Sequence, residues 1–185
     1  MTNSGVNRFL ATLISQVKNG KSLSVLRGDG ELYEASFVFN KPALRENIQM
    51  LEKKHAIKLP QDIVEFLMIS NGASLFDTGD GESLIVYSIS EMDEEADFYT
   101  PDIAPGLFPL IKYAGGTIFF DPQKDNRNLF LSSSGSEFDY MGLKFEELLE
   151  YFIRSNGNYF WEWIPLLACR NLDEEEVSLK DWLEL

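Results

Sequence analysis

The segment from Leu59 to Gly72 constrains the fold of this 185-residue chain more than any other, because it contains a short helix with both of its ends. Pro60 suits a first helical position, where its missing N–H would have no intrahelical partner. Asn71 and Gly72 tolerate the left-handed turn that commonly ends a helix. Between them, apolar residues repeat at helical spacing: Ile63, Phe66 and Leu67. We therefore predict a short helix with one apolar face buried in a core.

The pattern around this segment predicts an α+β domain. One helical pattern precedes it, from Leu44 to about His55, and another lies from Phe145 to about Phe152. Strand-like runs separated by turns lie between the helical regions: Leu84–Ile89, Leu110–Tyr113, Thr117–Phe120 and Leu129–Ser132. Gly115-Gly116 between two of these runs indicates a tight antiparallel hairpin. Since strands and helices do not alternate, we expect an antiparallel sheet of about four to six strands packed against helices.

The chain divides into three parts by composition. Residues 1–41 contain an amphipathic helix followed by two strand-like runs, which predicts a helix-hairpin extension packed on the core. Residues 42–157 form the main domain. Residues 158–185 begin with a dense aromatic run and continue with an acidic one. Because clustered aromatic residues usually find cover on their own domain, we expect this tail to dock on the domain.

The first segment and the helix before it resemble the signature of the SUKH superfamily. This group contains fungal cell-wall-synthesis regulators and many bacterial proteins that neutralise toxins. Its pattern is an acidic residue, a Leu-Gly pair, Leu-Pro, a Phe-Leu core pair and a closing Asn-Gly. The matching residues here are Glu52, Leu59, Pro60, Phe66, Leu67, Asn71 and Gly72. His55 and Ala56 replace the Leu-Gly pair. The resemblance spans about residues 42–154, and it implies a SUKH-like fold, a structural role for these residues and a function in protein binding.

Composition excludes several other classes of protein. Hydrophobic residues make up 44% of the chain, which is enough for a core. The single Cys169 excludes an internal disulfide framework and a cysteine-rich zinc site. No basic segment followed by an apolar run opens the chain, and the longest nearly apolar stretch, Tyr159 to Cys169, is too short to span a bilayer. We therefore expect a cytoplasmic protein that uses no metal and no cofactor.

Catalytic motifs find little support in the sequence. His55 is the only histidine, and its place at the end of a predicted helix favours an interaction with the helix dipole over the role of a base. Thirty acidic residues make any pair of carboxylates unspecific as a hydrolytic signature. Glycine patterns that bind phosphates or dinucleotides are absent. We predict that the protein is not an enzyme.

Charge gives the second functional clue. The net charge of −14 disfavours nucleic acid and anionic membranes as partners, and it would speed the encounter with a basic protein. One dense acidic stretch without Lys or Arg also contains two aromatic residues: Glu91, Asp93, Glu94, Glu95, Asp97, Phe98 and Tyr99. Carboxylates around an aromatic anchor match the anatomy of a protein interface. The alternatives are a solvated loop held by its aromatics and an acidic surface that serves solubility alone.

The resemblance and the charge together predict a cytoplasmic immunity protein. It would bind and neutralise a cognate toxin of a bacterial polymorphic toxin system by stoichiometric protein–protein association. A nuclease toxin must hold phosphates and is therefore commonly basic, so it would suit this acidic chain. Two alternatives remain open. The protein could be a regulatory scaffold that binds host proteins, as the fungal branch of the family implies, or an enzyme that uses paired carboxylates.

Overall fold

An eight-stranded antiparallel sheet organises the protein, and its strands are neighbours in the order of the chain. The computed structural model describes residues 10, 12–15, 17, 22–28, 30–99, 103–133 and 137–162. The strands are β1 (Leu23–Leu26), β2 (Leu32–Phe39), β3 (Ala73–Asp77), β4 (Leu84–Val86), β5 (Phe108–Tyr113), β6 (Gly116–Phe120), β7 (Leu129–Ser132) and β8 (Asp139–Tyr140). This meander confirms the α+β class and the antiparallel sheet.

Helices are inserted at two points of the meander, and one more helix follows its last strand. They are α1 (Arg45–His55) and α2 (Gln61–Leu67) between β2 and β3, α3 (Ile89–Phe98) between β4 and β5, and α4 (Phe145–Arg154) after β8. A short 3₁₀ helix follows at Phe160–Glu162, and the described residues between 10 and 17 are helical. Within the described part of the chain, no helix has the length and apolar character needed to cross a bilayer.

The prediction of four to six strands was wrong, because the sheet is longer at both ends. Near the N-terminus, β1 pairs with β2, and β2 pairs with β3 through Phe39 and Ala73. The N-terminal strands thus continue the main sheet. At the other end, the two residues of β8 pair with β7. The proposed boundary at residue 41 stays a prediction, and most of the predicted tail, from residue 163 onward, lies outside the described residues.

The core lies where α2 and α4 pack together beside the sheet. Phe66 of α2 meets Phe145 of α4 edge to face at a centroid separation of 5.3 Å, and both side chains are buried. The predicted apolar face of the signature helix, Ile63, Phe66 and Leu67, is therefore confirmed as core. The helix itself begins at Gln61. Pro60 precedes it with extended backbone (φ −53°, ψ 147°), so its predicted place as the first helical residue was wrong.

The turn after α1 adopts a left-handed conformation without a glycine. Ala56 follows the helix at φ 52° and ψ 39°, and its N–H donates to the Glu52 carbonyl. A Cβ in this region costs roughly 1–2 kcal/mol, because it approaches the following carbonyl oxygen. His55-Ala56 thus builds the turn for which the family pattern has Leu-Gly, at the cost of local strain.

Substitution of Ala56 by glycine should stabilise the protein. Glycine removes the steric strain but gains more backbone freedom in the unfolded chain, which offsets roughly 0.5–1 kcal/mol. We expect a net increase of about 0.5 kcal/mol in the free energy of unfolding. Urea denaturation of the wild type and Ala56→Gly would measure it. A decrease would show that the Ala56 methyl group stabilises the turn through packing.

Candidate partner-binding surface

The signature residues fix the turn between α1 and α2. The Oε1 atom of Glu52 accepts a hydrogen bond of 3.0 Å from the backbone N–H of Leu59, and it lies 3.1 Å from Nζ of Lys58. Leu59 is buried, so without the Glu52 carboxylate its amide would lose a partner in a poorly solvated position. The acidic residue of the pattern, Glu52, therefore binds the backbone amide of the leucine in its Leu-Pro pair, Leu59.

The closing residues of the signature connect α2 to the start of α3. The Oδ1 atom of Asn71 accepts a hydrogen bond of 2.9 Å from the N–H of Ile89, the first residue of α3. Gly72 has φ 86°, and a Cβ on it would lie 2.7 Å from the backbone nitrogen of Ser88. The first turn of a helix leaves N–H groups without intrahelical partners, and Asn71 supplies one acceptor from outside. Asn71 and Gly72 thus hold the beginning of α3.

Helix α3 carries all but the last of the predicted partner-binding residues. Ser88 precedes it in a capping box: the N–H of Glu91 donates to Oγ of Ser88 at 3.3 Å, and the N–H of Ser88 donates to Oε2 of Glu91 at 2.7 Å. The sequence prediction missed this helix and assigned its first residue to a strand. The spacing of Ser88 and Glu91 is the signal that could have revealed it.

The seven predicted partner-binding residues differ in how far they are exposed to solvent. Met92 is fully buried and faces the core. Four residues are exposed, and we call them the acidic face: Glu91, Glu94, Asp97 and Phe98. Phe98 follows Glu94 by four residues and Glu91 by seven, a spacing that places all three on one side of a helix. An aromatic side chain with 65% of its surface exposed thus stands among carboxylates.

Asp93, Glu95 and Tyr99 are partly buried, and Asp93 and Tyr99 have side-chain partners within the chain. Tyr99 packs edge to face on Phe119 at 4.9 Å, and its hydroxyl group lies 3.2 Å from Oγ1 of Thr117. Burial raises the pKa of Tyr87, and the Glu95 carboxylate raises it further. The contacts of Tyr99 and the partial burial of Glu95 leave these two residues less available to a partner than the acidic face.

Asp93 connects α3 to α1. Its Oδ1 atom lies 2.6 Å from both Nζ of Lys54 and Nε2 of His55. The Lys54 ammonium group and then the His55 ring lower the pKa of Asp93, while the hydrogen bond to Asp93 raises the pKa of Lys54. His55 also packs edge to face on Phe108 of β5 at 5.2 Å. The histidine is thus engaged in joining α1 to α3 and β5.

This arrangement is suited to binding. Among the described residues, no group of three or more His, Cys, Asp or Glu side chains is placed to hold a metal ion. Cys169 lies outside the described residues. What α3 offers to solvent is a convex row of carboxylates around one aromatic ring, and such a surface can attract and contact a cationic protein.

Comparison with known proteins identifies the family. The model of the SMI1 / KNR4 family (SUKH-1) matches residues 42–154. A protein of Bacillus subtilis (strain 168), uncharacterized protein YobM, is 30% identical over 174 residues, which cover 88% of this chain and 94% of that protein. Uncharacterized protein YnaB of the same organism is 31% identical over 141 residues, 72% of this chain and 92% of its own length.

The chain therefore belongs to the SMI1 / KNR4 family (SUKH-1), and the predicted SUKH resemblance is confirmed. The names of the two Bacillus relatives state neither an activity nor a partner.

Proposed function

We propose that this protein is an immunity protein that neutralises a basic bacterial toxin domain by binding it through the acidic face. The observation that carries the proposal is the exposure of Phe98 among Glu91, Glu94 and Asp97 on a helix that signature residues hold in place. Membership of a family broadly linked to immunity supports it. Inhibition would require only that the complex covers the substrate-binding surface of the toxin.

The charge of the chain favours a basic partner over an acidic one. With a net charge of −14, the protein attracts cations over distances of about one Debye length, roughly 8–10 Å at physiological salt. A nuclease domain presents lysine and arginine to hold phosphates, so its active surface would be drawn toward the acidic face. Phe98 would supply apolar contact area at the centre of the contact.

Removal of three charges from the acidic face should slow association. In the variant Glu91→Gln, Glu94→Gln, Asp97→Asn, the shapes of the side chains and the capping box are retained, since glutamine also suits that box. We expect the association rate with the toxin domain to fall about tenfold at low salt, because electrostatic steering weakens. The partner would first be captured from the native host at low salt and identified by mass spectrometry. Stopped-flow mixing at several salt concentrations would then measure the rate.

A matched variant controls for total charge. Glu82, Asp125 and Asp139 are also exposed, and Glu82→Gln, Asp125→Asn, Asp139→Asn removes the same number of charges outside α3. We expect this control to change the rate much less. Asp93 is left intact in both variants, because its loss would break the 2.6 Å contacts with Lys54 and His55. The 3.5 Å pair of Asp97 with Lys54 is exposed, so its loss should affect stability little. Equal rates for the two variants would contradict the acidic face as the binding surface.

The regulatory scaffold makes a different prediction for the same experiment. A scaffold would retain several host proteins that are neutral or acidic, and salt would release them weakly because steering contributes little. One basic protein released by salt, bound in a 1:1 complex and inhibited in it, is the result expected of an immunity protein.

A further inference from the structure

A cleft of about 330 Å³ lies beside the acidic face, between α1 and α3. Asn47, Met50 and Leu51 line it from α1, and Ile89 and Ser90 line it from α3. Residues 47, 50, 51 and 54 follow helical spacing, so one side of α1 forms a complete wall. The volume is near the lower end of the range for ligand pockets, roughly 300–1,000 Å³, and it provides room for one or two side chains.

The lining of the cleft combines the apolar side chains of Met50, Leu51 and Ile89 with polar ones, among them the amide group of Asn71. Met50 is 69% exposed, which is high for a methionine, and the buried Leu51 forms part of the lining. Asn71 also lines the cleft, and its Oδ1 atom accepts a hydrogen bond from the N–H of Ile89. Its Nδ2 group has no acceptor among the described residues. Such a site suits an apolar side chain whose own backbone carbonyl can accept a hydrogen bond from Nδ2.

The rim of the cleft is negatively charged. Lys54 is the one cation among the described lining residues, and Asp93 at 2.6 Å and Asp97 at 3.5 Å neutralise it. Glu94 accepts a hydrogen bond of 3.3 Å from Ser90, which itself lines the cleft. Asp97 and Glu94 thus leave an excess of carboxylate on the side that adjoins the acidic face. The cleft and the acidic face form one continuous surface.

From this geometry we infer that the cleft is a second anchor site of the interface, in addition to Phe98, and that it takes an apolar side chain of the partner flanked by lysine or arginine. The inference rests on the proposed function and names the part of the partner that is recognised. The basic residues would lie over Glu94 and Asp97, while the apolar side chain would displace water from Met50 and Leu51. Charge would then govern the rate of encounter, and the cleft would govern the lifetime of the complex.

Two synthetic peptides test the site without any knowledge of the partner. Their sequences are Lys-Lys-Leu-Lys-Lys and Lys-Lys-Ser-Lys-Lys, so they differ only in the apolar centre. The full chain, labelled in its backbone and side-chain amides and its methionine methyl groups, would be titrated by NMR. We expect the leucine peptide to shift the Met50 methyl and the Asn71 amide signals and to bind about tenfold more tightly than the serine peptide. Equal affinities would overturn the inference.

Two exposed apolar residues of similar position provide matched variants. Met50 lines the cleft, whereas Leu44, which is 62% exposed and immediately precedes α1, does not. Met50→Ser should abolish the preference for leucine, and Leu44→Ser should retain it. Because both side chains are exposed, neither change threatens the fold. A leucine preference that survives Met50→Ser would also overturn the inference.

The toxin domain itself separates this inference from the proposed function. If a basic toxin domain binds, Met50→Ser should increase its dissociation rate, while the three charge removals on the acidic face should mainly lower its association rate. If the toxin domain binds and its dissociation rate is the same for Met50→Ser as for the wild type, the cleft is not part of the interface. The immunity role would still hold in that case. If no basic domain binds but the peptides differ as expected, the immunity role fails and the cleft stands.

Discussion

Gly72→Ala should lower the free energy of unfolding by about 3 kcal/mol, the sum of two independent penalties. The residue has φ 86°, a left-handed conformation that costs an alanine roughly 1–2 kcal/mol. The added methyl group would also lie 2.7 Å from the nitrogen of Ser88 and 3.0 Å from the carbonyl oxygen of Val86. Both are backbone atoms that cannot rotate away, so the overpacking adds about 1–3 kcal/mol.

A second glycine separates the two penalties. Gly79 has almost the same backbone angle, φ 83°, but a Cβ there would meet nothing within 4 Å. Gly79→Ala should therefore cost only the conformational part, about 0.5 kcal/mol once the smaller backbone freedom of alanine in the unfolded chain is included. Urea denaturation of both variants would give the difference directly. Equal losses would mean that the chain around Ser88 yields to the methyl group and that Gly72 is needed for its angle alone.

Because Ser88 caps α3, Gly72→Ala should also disturb the acidic face. The NMR amide signals of α3 would report this, and we expect them to shift in Gly72→Ala and to stay in place in Gly79→Ala. The signature of this family is then more than a core motif, since its last two residues decide where a neighbouring helix begins.

Local patterns allowed prediction of the elements whose signals lie within a few residues. The apolar repeat of α4 placed that helix close to its observed limits, and the repeat of α2 located its buried face. The predicted end of α2 at Asn71 and Gly72 was wrong, because the helix ends at Leu67 and Met68 follows without a left-handed turn. The hairpin between β5 and β6 was predicted from Gly115-Gly116, although Gly116 itself begins β6 and pairs with Tyr113. For these elements, an apolar repeat or a glycine turn signal within a few residues is sufficient to predict the type of element.

Helix α3 shows why the main part of the site was not predicted as a helix. Only one of its ten residues, Met92, is fully buried, so the apolar period is too weak to distinguish a helix from a solvated loop. Its stability depends on the Ser88–Glu91 capping box, on Asn71 and on Asp93 reaching Lys54. Contacts from α1 and from the end of the signature lie outside any local window.

The irregular strand β3 and the burial of Arg27 could not be predicted, because they depend on contacts between residues still farther apart in the sequence. In β3, Phe76 has φ 56°, which interrupts the regular pattern of a strand. Arg27 is buried, and its guanidinium group donates to the backbone carbonyls of Phe76, Glu82 and Gly157. In the sequence it reads as part of a turn. Only the folded chain shows that this residue joins segments 49 to 130 positions away.

Two phenylalanines offer the sharpest separation of core from interface. Phe66 is fully buried, whereas Phe98 is 65% exposed, so the same truncation to alanine removes the same atoms from opposite environments. Phe66→Ala should lower the free energy of unfolding by about 3–5 kcal/mol, because it leaves a cavity beside Phe145. Phe98→Ala should change stability by less than about 0.5 kcal/mol.

For binding of the toxin domain, we expect the opposite: Phe98→Ala should have the larger effect and Phe66→Ala the smaller one. At low temperature, where both variants remain folded, Phe66→Ala should bind with the affinity of the wild type, since no atom of Phe66 reaches the surface. Phe98→Ala should weaken binding by tenfold or more, roughly the effect of losing an aromatic anchor at an interface. Isothermal titration together with urea denaturation would measure both quantities on the same samples. A loss of affinity in Phe66→Ala without a loss of stability would place the partner on the signature helix and remove the acidic face from the interface.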